Sequence, residues 1–203
     1  KEQAKTKVRF GWYDTIDDLE VSRMLIDAVH SWGKQNGLTY LEGPMGFSNM
    51  DKAGVLVQGY EYKNTMITWY HYPYQKKHLE DLGLVKQAEW VEFQIKIFKA
   101  EDAPEKVKKY AELISRRYEL SALEFSTRKE LVPYVDKMFD LLNKTYNNLQ
   151  SFVPIQPYQI AHYKEKYFSY IHPKFIKCVA DKSGNLIAFA ITMPSFSKAL
   201  KKV

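Results

Sequence analysis

The chain has 203 residues, 45% hydrophobic and 27% charged, which is typical of a globular protein with one medium-sized or two small domains. No apolar run approaches the roughly 20 residues of a membrane-spanning helix, and no signal peptide follows the basic start, so we expect no membrane partner. The single cysteine, Cys178, excludes an internal disulfide framework and, with no targeting segment, favours a cytoplasmic location.

The net charge of +6 raises the question of an anionic partner. A basic balance occurs in proteins that bind nucleic acid, an anionic cofactor or an acidic protein. Here the lysines are scattered among glutamates and form no block or stripe, which is typical of a mixed, solvated surface. We therefore do not expect a nucleic acid partner, and composition gives no indication of the oligomeric state.

The start of the sequence predicts a strand and then a helix. Apolar and polar residues alternate over residues 7–17, which predicts a strand. Asp17 or Asp18 can cap the helix that follows, and Gly37 can adopt the left-handed conformation that closes it. The apolar residues that share a face are Val8, Phe10 and Trp12 in the strand, and Val21, Leu25, Ala28 and Trp32 in the helix.

Further strand-like runs and one short helix complete the first half. Pro73 opens the helix and Gly83 stops it. The strand-like runs are residues 38–41, 53–62, 65–71 and, with the clearest alternation in the chain, 84–97.

The second half predicts the order strand, helix, helix, strand, strand after a charged connector and a helix that begins near Pro104. Thr127 and Glu130 form a capping box at the start of one helix, and Pro157 starts the next. The expected strands are residues 122–125 and the two arms of a hairpin within residues 172–194. Since both halves mix helices with strands, the sequence predicts the α/β or α+β class.

Four stretches of the chain carry a resemblance to a known family. They read RFGWYDTIDD, GLTYLEGPMGFSNMDKAGVLVQGYE, HYPYQKKHLEDLGLVKQAEWVEFQIKI and LIAFAITMPSFSKAL. These stretches are similar to an uncharacterised bacterial family with a GNAT (N-acetyltransferase)-like fold. The resemblance implies a central mixed sheet flanked by helices, with two such units in tandem in longer proteins.

The resemblance also implies a division of the chain, which would be the middle portion of such a protein. Residues 1–98 would be the second half of a first unit, 99–118 a connector and helix, and 119–203 the truncated first half of a second unit. The abrupt start and end of the sequence agree with a fragment. Because each half-unit is short of partner strands, we expect their strands to pair into one composite sheet.

The same resemblance implies acyl-CoA-dependent acyl transfer. GNAT-like enzymes hold the cofactor pyrophosphate on a glycine-rich turn at a helix N-terminus, where backbone N–H groups attract anions. The matching turn, DTIDDLEVSR at residues 14–23, contains no glycine and carries four carboxylates, which would repel a pyrophosphate. We expect it to be a capped helix start without cofactor, and acyl-CoA stays an expectation for the full-length protein. The carboxylates are those of Asp14, Asp17, Asp18 and Glu20.

The histidines and the cysteine indicate neither a metal site nor a nucleophile. No two histidines have the spacing of metal ligands on one helix face, so each is interpreted as a surface or packing residue. His30 is expected near the exposed edge of its helix and His78 on an exposed turn. Cys178 is interpreted as a buried structural thiol because no activating partner is identifiable. The histidines are His30, His71, His78, His162 and His172.

Residues 59–78 are rich in aromatic side chains, which could line a cleft for an amine or another small-molecule substrate. The resemblance implies that this region follows the strand where acceptor and cofactor meet. The alternative is that these rings pack under a loop and cover a sheet edge. The catalytic candidates are Tyr70, His71 and Tyr74, and the candidate cleft residues are Phe47, Asn49, Asp51, Trp69 and Tyr72.

The glycine-containing loop at residues 41–51, LEGPMGFSNMD, lacks the lysine and serine of a phosphate-binding loop. We expect Gly43 and Gly46 to allow positive φ angles around Pro44 and Phe47. The loop is therefore a candidate cleft wall.

Two functions remain open at this point. The first is an acyltransferase of the GNAT type, active in the full-length protein, that transfers an acyl group from acyl-CoA to an amine. The second is a binding or structural module that kept the fold and lost the chemistry, since fold does not fix activity. The acidic turn at residues 14–23 motivates the second.

Overall fold

The computed structural model describes residues 6–48, 50–96, 99–149, 152–168 and 171–202. Its helices and short strands form a mixed α+β architecture, as predicted. In chain order the elements are β1 (Lys7–Arg9), α1 (Leu19–Gln35), β2 (Tyr40–Glu42), α2 (Pro73–Asp81), α3 (Glu105–Arg117), β3 (Ser121–Leu123), α4 (Arg128–Tyr146), α5 (Pro157–Phe168), β4 (Ile176–Ala180), β5 (Leu186–Ile191) and α6 (Ser197–Leu200).

The chain divides into two compact units. The first comprises Lys1–Glu89, Ser151–Val153 and Ser195–Val203, and the second comprises Trp90–Gln150 and Pro154–Pro194. The first unit therefore contains β1, α1, β2, α2 and α6, and the second contains the remaining elements.

In the first unit, β1 and β2 are parallel neighbours, with Val8 opposite Leu41. Parallel strands need a crossover connection, which α1 supplies. Asp18 caps α1 by accepting a hydrogen bond from the Glu20 N–H at 2.9 Å, and Gly37 follows its end with φ of 70°. Both predicted boundary signals of this helix are confirmed.

The buried face of α1 differs from the predicted one. Leu25 and Trp32 are exposed, whereas the buried residues lie on an adjacent stripe. The small Gly33 lets the helix approach β1 closely, since a Cβ there would lie 3.0 Å from Cγ1 of Val8. The buried residues of α1 are Ser22, Ile26 and Gly33.

Between β2 and α2 the chain is irregular, so the strands predicted at residues 53–62 and 65–71 are wrong. Side chains close these loops instead: the Tyr60 hydroxyl donates to the Leu56 carbonyl at 2.8 Å, and the Tyr70 hydroxyl donates to the Tyr60 carbonyl at 3.0 Å. The predicted helix from Pro73 to the stop at Gly83 is confirmed.

The strand predicted most clearly, at residues 84–97, is wrong over the residues that the structure describes, 84–96. This segment belongs to no strand, and most of its apolar side chains are exposed, including Phe93 at 81% and Ile95 at 74%. Alternation of apolar and polar residues indicates that one face of the segment prefers to be buried. A strand forms only when a neighbouring strand supplies backbone hydrogen bonds.

In the second unit, β4 pairs with both β3 and β5 in an antiparallel sheet. The predicted hairpin at residues 172–194 is confirmed, and so is the Thr127 cap of α4, which accepts from the Glu130 N–H. Helix α3 buries none of its side chains. The buried residues of the core in this unit are Phe125, Leu131, Met138, Ile176, Cys178 and Leu186.

The described strands form two sheets, with β1 and β2 in the first unit and β3, β4 and β5 in the second. The composite sheet concerns the relation between the two units and stays a prediction.

Candidate functional site

A cavity of about 290 Å³ lies at the carboxyl end of the parallel pair formed by β1 and β2. Backbone pairing continues up to it: the Phe10 N–H donates to the Glu42 carbonyl at 3.2 Å, and the Met45 N–H donates to the Phe10 carbonyl at 2.7 Å. This end of parallel strands is a common location for ligand sites. The lining residues are Arg9, Gly11, Trp12, Met45, Gly46, Phe47 and Val153.

Two aromatic side chains form one side of this cavity. The ring centroids of Trp12 and Phe47 lie 5.4 Å apart, with the planes tilted by 52°. Both rings remain exposed, Trp12 at 56% and Phe47 at 74%. Exposed apolar surface beside a cavity is the kind of surface that a ligand can cover.

Trp12 has an unusual backbone conformation, with φ of 51° in the left-handed region. A non-glycine residue in this region is uncommon and costs on the order of 1 kcal/mol. The conformation also ends the strand alternation, because Tyr13 is buried and Trp12 is exposed. The expectation that Trp12 shares a face with the buried Val8 is therefore wrong.

The glycines around the cavity are required by close approach between chain segments. A Cβ at Gly11 would lie 2.8 Å from the Met45 carbonyl oxygen, and one at Gly46 would lie 2.2 Å from Cβ of Asp51. Neither Gly43 nor Gly46 has a positive φ, so that expectation is wrong. Small residues here let the loop pack against the segment that follows β1.

A charged group lies behind the cavity on β1 and β2. Glu42 is 9% exposed, and its two carboxylate oxygens lie 2.8 Å from Nζ of Lys7 and 2.8 Å from Nε of Arg9. Two cations thus contact one carboxylate. Arg9 also lines the cavity.

The turn from Asp14 to Asp18 is held by side chains from the region that includes α2. The Tyr74 hydroxyl donates to the Thr15 carbonyl at 2.8 Å, and Nε2 of the buried Gln75 donates to Oδ1 of Asp14 at 3.1 Å. The predicted capped helix start is confirmed, since Asp18 accepts the Glu20 N–H.

His71 holds the residue before this turn. Its Nδ1 accepts the Leu56 N–H at 3.3 Å, and its Nε2 lies 3.3 Å from the Tyr13 carbonyl oxygen, so the neutral ring carries its proton on Nε2. Burial lowers the pKa of His71, an effect that the Tyr13 carbonyl and Asp14 partly oppose. His71 therefore fastens this segment as a neutral imidazole.

These contacts decide whether the turn fits the acyl-CoA that the resemblance implies. A pyrophosphate would need N–H groups at the start of α1, and the carboxylate of Asp18 already accepts one of them. Asp14 and Asp17 add negative charge, and the turn contains no glycine for close approach. The residues of this turn do not fit the cofactor.

His78 is buried, at 6% exposure, so the expectation of an exposed turn is wrong. Its Nδ1 lies 2.9 Å from Oγ of Ser22, which also accepts the Tyr13 hydroxyl at 3.0 Å. Its Nε2 lies 3.3 Å from Oδ1 of Asp17. Ser22 is completely buried and cannot reach a substrate, so this serine, histidine and aspartate form a structural network.

The catalytic candidates Tyr70, His71 and Tyr74 have structural contacts. The Tyr70 hydroxyl donates to the Tyr60 carbonyl, and the two other side chains hold the turn and the residue before it. Tyr72 stacks on Tyr74 with a centroid distance of 5.7 Å. The aromatic side chains of residues 70–74 thus contact one another and the segment at residues 13–15.

The remaining cleft candidates lie at different places. Phe47 lines the cavity. Asp51 closes the loop by accepting the Ser48 N–H at 2.9 Å. Nζ of Lys52 lies 4.4 Å from the centroid of the half-buried Trp69 ring. Asn49 lies outside the described residues.

The sequence interpretation missed Arg9 and Trp12. Both were assigned only to a strand, whose alternation placed them on opposite faces. A usable signal was Gly11, since a glycine inside an apolar strand pattern often marks close backbone approach.

Within the described ranges, no group of three or more His, Cys, Asp or Glu side chains is placed to hold a metal ion. Cys178 is 1% exposed, and burial raises the pKa of its thiol, as expected for a structural cysteine. No helix in the described part of the chain is long and apolar enough to cross a membrane.

Comparison with known proteins gives one distant similarity to report. Protein YghO of Escherichia coli (strain K12) is 20% identical over 191 residues, which are 94% of this chain and 48% of YghO. The chain thus spans about half the length of the curated relative that it matches. No family model and no solved structure matches the chain.

Proposed function

We propose that this chain is part of a GNAT-related, acyltransferase-like protein, and that its first unit holds a small-molecule substrate without holding acyl-CoA. The observation that carries the proposal is the turn between Asp14 and Asp18. The Thr15 carbonyl and the Asp14 carboxylate accept from the side chains of Tyr74 and Gln75, and the Asp18 carboxylate accepts from the Glu20 backbone N–H. The negative charge of the turn disfavours a pyrophosphate.

The cavity supports the substrate-holding part of this proposal. It lies at the carboxyl end of β1 and β2, and its volume is close to the lower end of the range for small-molecule sites, about 300–1,000 Å³. The strained backbone of Trp12 and its exposed ring agree with a binding role, because strain is often retained at functional sites.

Acyl transfer from acyl-CoA to an amine in the full-length protein is the activity that the resemblance implies. Under this proposal the cofactor binds outside the turn described here. The competing function is a binding module that kept the fold and lost the catalytic activity. For the first unit this function is favoured by the turn between Asp14 and Asp18, because Tyr74 and Gln75 already bind its polar groups.

A thiol-release assay with acetyl-CoA and a panel of amines, run on the full-length protein, separates these functions. Turnover would support an acyltransferase, and the exposed Asp17→Asn would then leave the KM for acetyl-CoA unchanged, because the turn does not bind it. A KM change of about tenfold or more in this variant would contradict the proposal. Absence of turnover with every amine would favour the binding module.

A further inference from the structure

The backbone of residues 85–96, which we call the open segment, is not bound by the rest of the described chain. The open segment contains no helix, turn or bend. Within the described residues, its backbone N–H and C=O groups have no hydrogen-bond partner. A row of unpaired backbone groups of this kind is a template on which another strand can pair.

The side chains of the open segment have the pattern of a strand that lacks its neighbour. In a strand, Val91, Phe93 and Ile95 would share one face, and Glu92 and Gln94 would share the other. The three apolar side chains are each at least 67% exposed. A contiguous row of large exposed apolar side chains is typical of an interaction surface.

The charges of the open segment are complementary to those of a second copy of the chain. Glu92 and Lys96 have no ion-pair partner among the described residues. If two copies pair in antiparallel fashion about Gln94, Glu92 of each copy lies opposite Lys96 of the other. Phe93 of each copy then lies opposite Ile95 of the other. Opposite charges and aromatic–β-branched pairs both stabilise antiparallel neighbours.

Other registers of this pairing lose the match. A shift by one residue places the apolar face of one copy opposite the polar face of the other. Centring the pair on Glu92 or on Lys96 brings like charges together, which destabilises neighbouring strands. Centring it on Phe93 or Ile95 leaves both charges opposite uncharged residues. The pairing about Gln94 is therefore favoured, and its twofold symmetry closes the assembly at a dimer.

We propose that the open segment is an interaction surface for a second copy of this chain. Residues 90–96 of the two copies pair as antiparallel strands about Gln94, and the backbone groups of each copy bind those of the other. Since each copy contributes one strand, the interface is small and the dimer is weak, with a dissociation constant on the order of 100 μM. The inference goes beyond the proposed function and does not rest on it.

Sedimentation velocity of the 203-residue chain between about 5 and 500 μM measures this association. We expect the average mass to rise from monomer towards dimer. Glu92→Lys brings lysines together across the interface, and Lys96→Glu brings glutamates together. Each variant alone should therefore dimerise about tenfold more weakly.

An equimolar mixture of these two variants separates a specific register from general charge effects. In a mixed pair the introduced lysine lies opposite the introduced glutamate, and one native pair is kept, so dimerisation should recover. The matched control combines Lys96→Glu with Glu112→Lys, which makes the same change of net charge on the exposed surface of α3. That control mixture should not recover.

Cysteine cross-linking locates the twofold axis. Gln94→Cys should form a disulfide-linked dimer under mild oxidation, because directly opposite residues of antiparallel strands lie within disulfide distance. Ser183→Cys, on an exposed turn, is the control and should not, and the native Cys178 is buried. A monomer at every concentration would overturn the proposal and show that something other than a second copy covers the open segment. A dimer that both charge variants leave unchanged, or equal cross-linking of the two cysteine variants, would also overturn it.

Discussion

The Oγ atom of Ser22 lies 2.9 Å from Nδ1 of His78, inside a buried network that joins α1 to α2. Because Tyr13 donates to Ser22, the serine hydroxyl donates onward to His78, whose Nε2 proton then faces Asp17. The chain of donors leaves each of these buried groups with a partner. The network fixes the first helix against the second.

Removing the serine hydroxyl should destabilise the protein. In Ser22→Ala the Tyr13 hydroxyl loses its acceptor and His78 loses a donor, and buried groups without partners cost about 1–3 kcal/mol. Urea unfolding would measure the loss. Ser31→Ala, on the exposed side of the same helix, is the matched control and should change stability by less than about 0.5 kcal/mol. Equal effects of the two substitutions would contradict the network.

His71 should make stability fall in acid. Burial lowers its pKa in the folded state, so the unfolded chain binds the proton first as the pH drops below the ordinary value of 6.5. The stabilisation is complete above that value and is lost as the pH falls toward the lowered pKa. Urea midpoints between about pH 8 and pH 5 should show this decline, and His71→Gln should reduce it. The exposed His30→Gln should leave the decline unchanged.

Local signals predicted the helices well because capping and turn chemistry depend on residues close in sequence. Asp18 and Gly37 mark the two ends of α1, and Pro73 and Gly83 mark the two ends of α2. The segment at residues 84–96 could not be judged in this way, because a strand depends on a partner elsewhere in the chain.

The candidate site was predictable only in part. Phe47 was identified from an exposed-looking aromatic residue in a glycine-containing loop. Trp12 was missed because its left-handed φ has no signature in residue type, and Arg9 was missed because its position depends on two strands that are distant in sequence. The burial of His78 likewise depends on Ser22, which lies 56 residues away.

Gly11 should tolerate a methyl group poorly. A Cβ there would lie 2.8 Å from the Met45 carbonyl oxygen, which is backbone and cannot rotate away. We expect Gly11→Ala to cost about 1–3 kcal/mol in urea unfolding. Gly33→Ala is the control, because its Cβ would meet a side-chain methyl of Val8 and alanine favours the helix. A smaller cost at Gly11 than at Gly33 would contradict the close approach.

Cys178 should react slowly with thiol reagents in the folded protein. It is 1% exposed, and burial raises its pKa, so little thiolate is available to attack a disulfide reagent. Addition of denaturant should increase the rate sharply. In Ser183→Cys, a second thiol on the exposed turn between β4 and β5 should react rapidly without denaturant. Fast modification of the unmodified chain would show that Cys178 is accessible.

Calorimetric titration of acetyl-CoA into this 203-residue chain tests the central claim most directly. The claim is that the turn between Asp14 and Asp18 is occupied by the protein's own contacts and holds no acyl-CoA. The account predicts no saturable heat at ligand concentrations up to about 1 mM, which corresponds to binding weaker than about 4 kcal/mol. Saturable micromolar binding that changes when Asp17 is replaced by asparagine would contradict it.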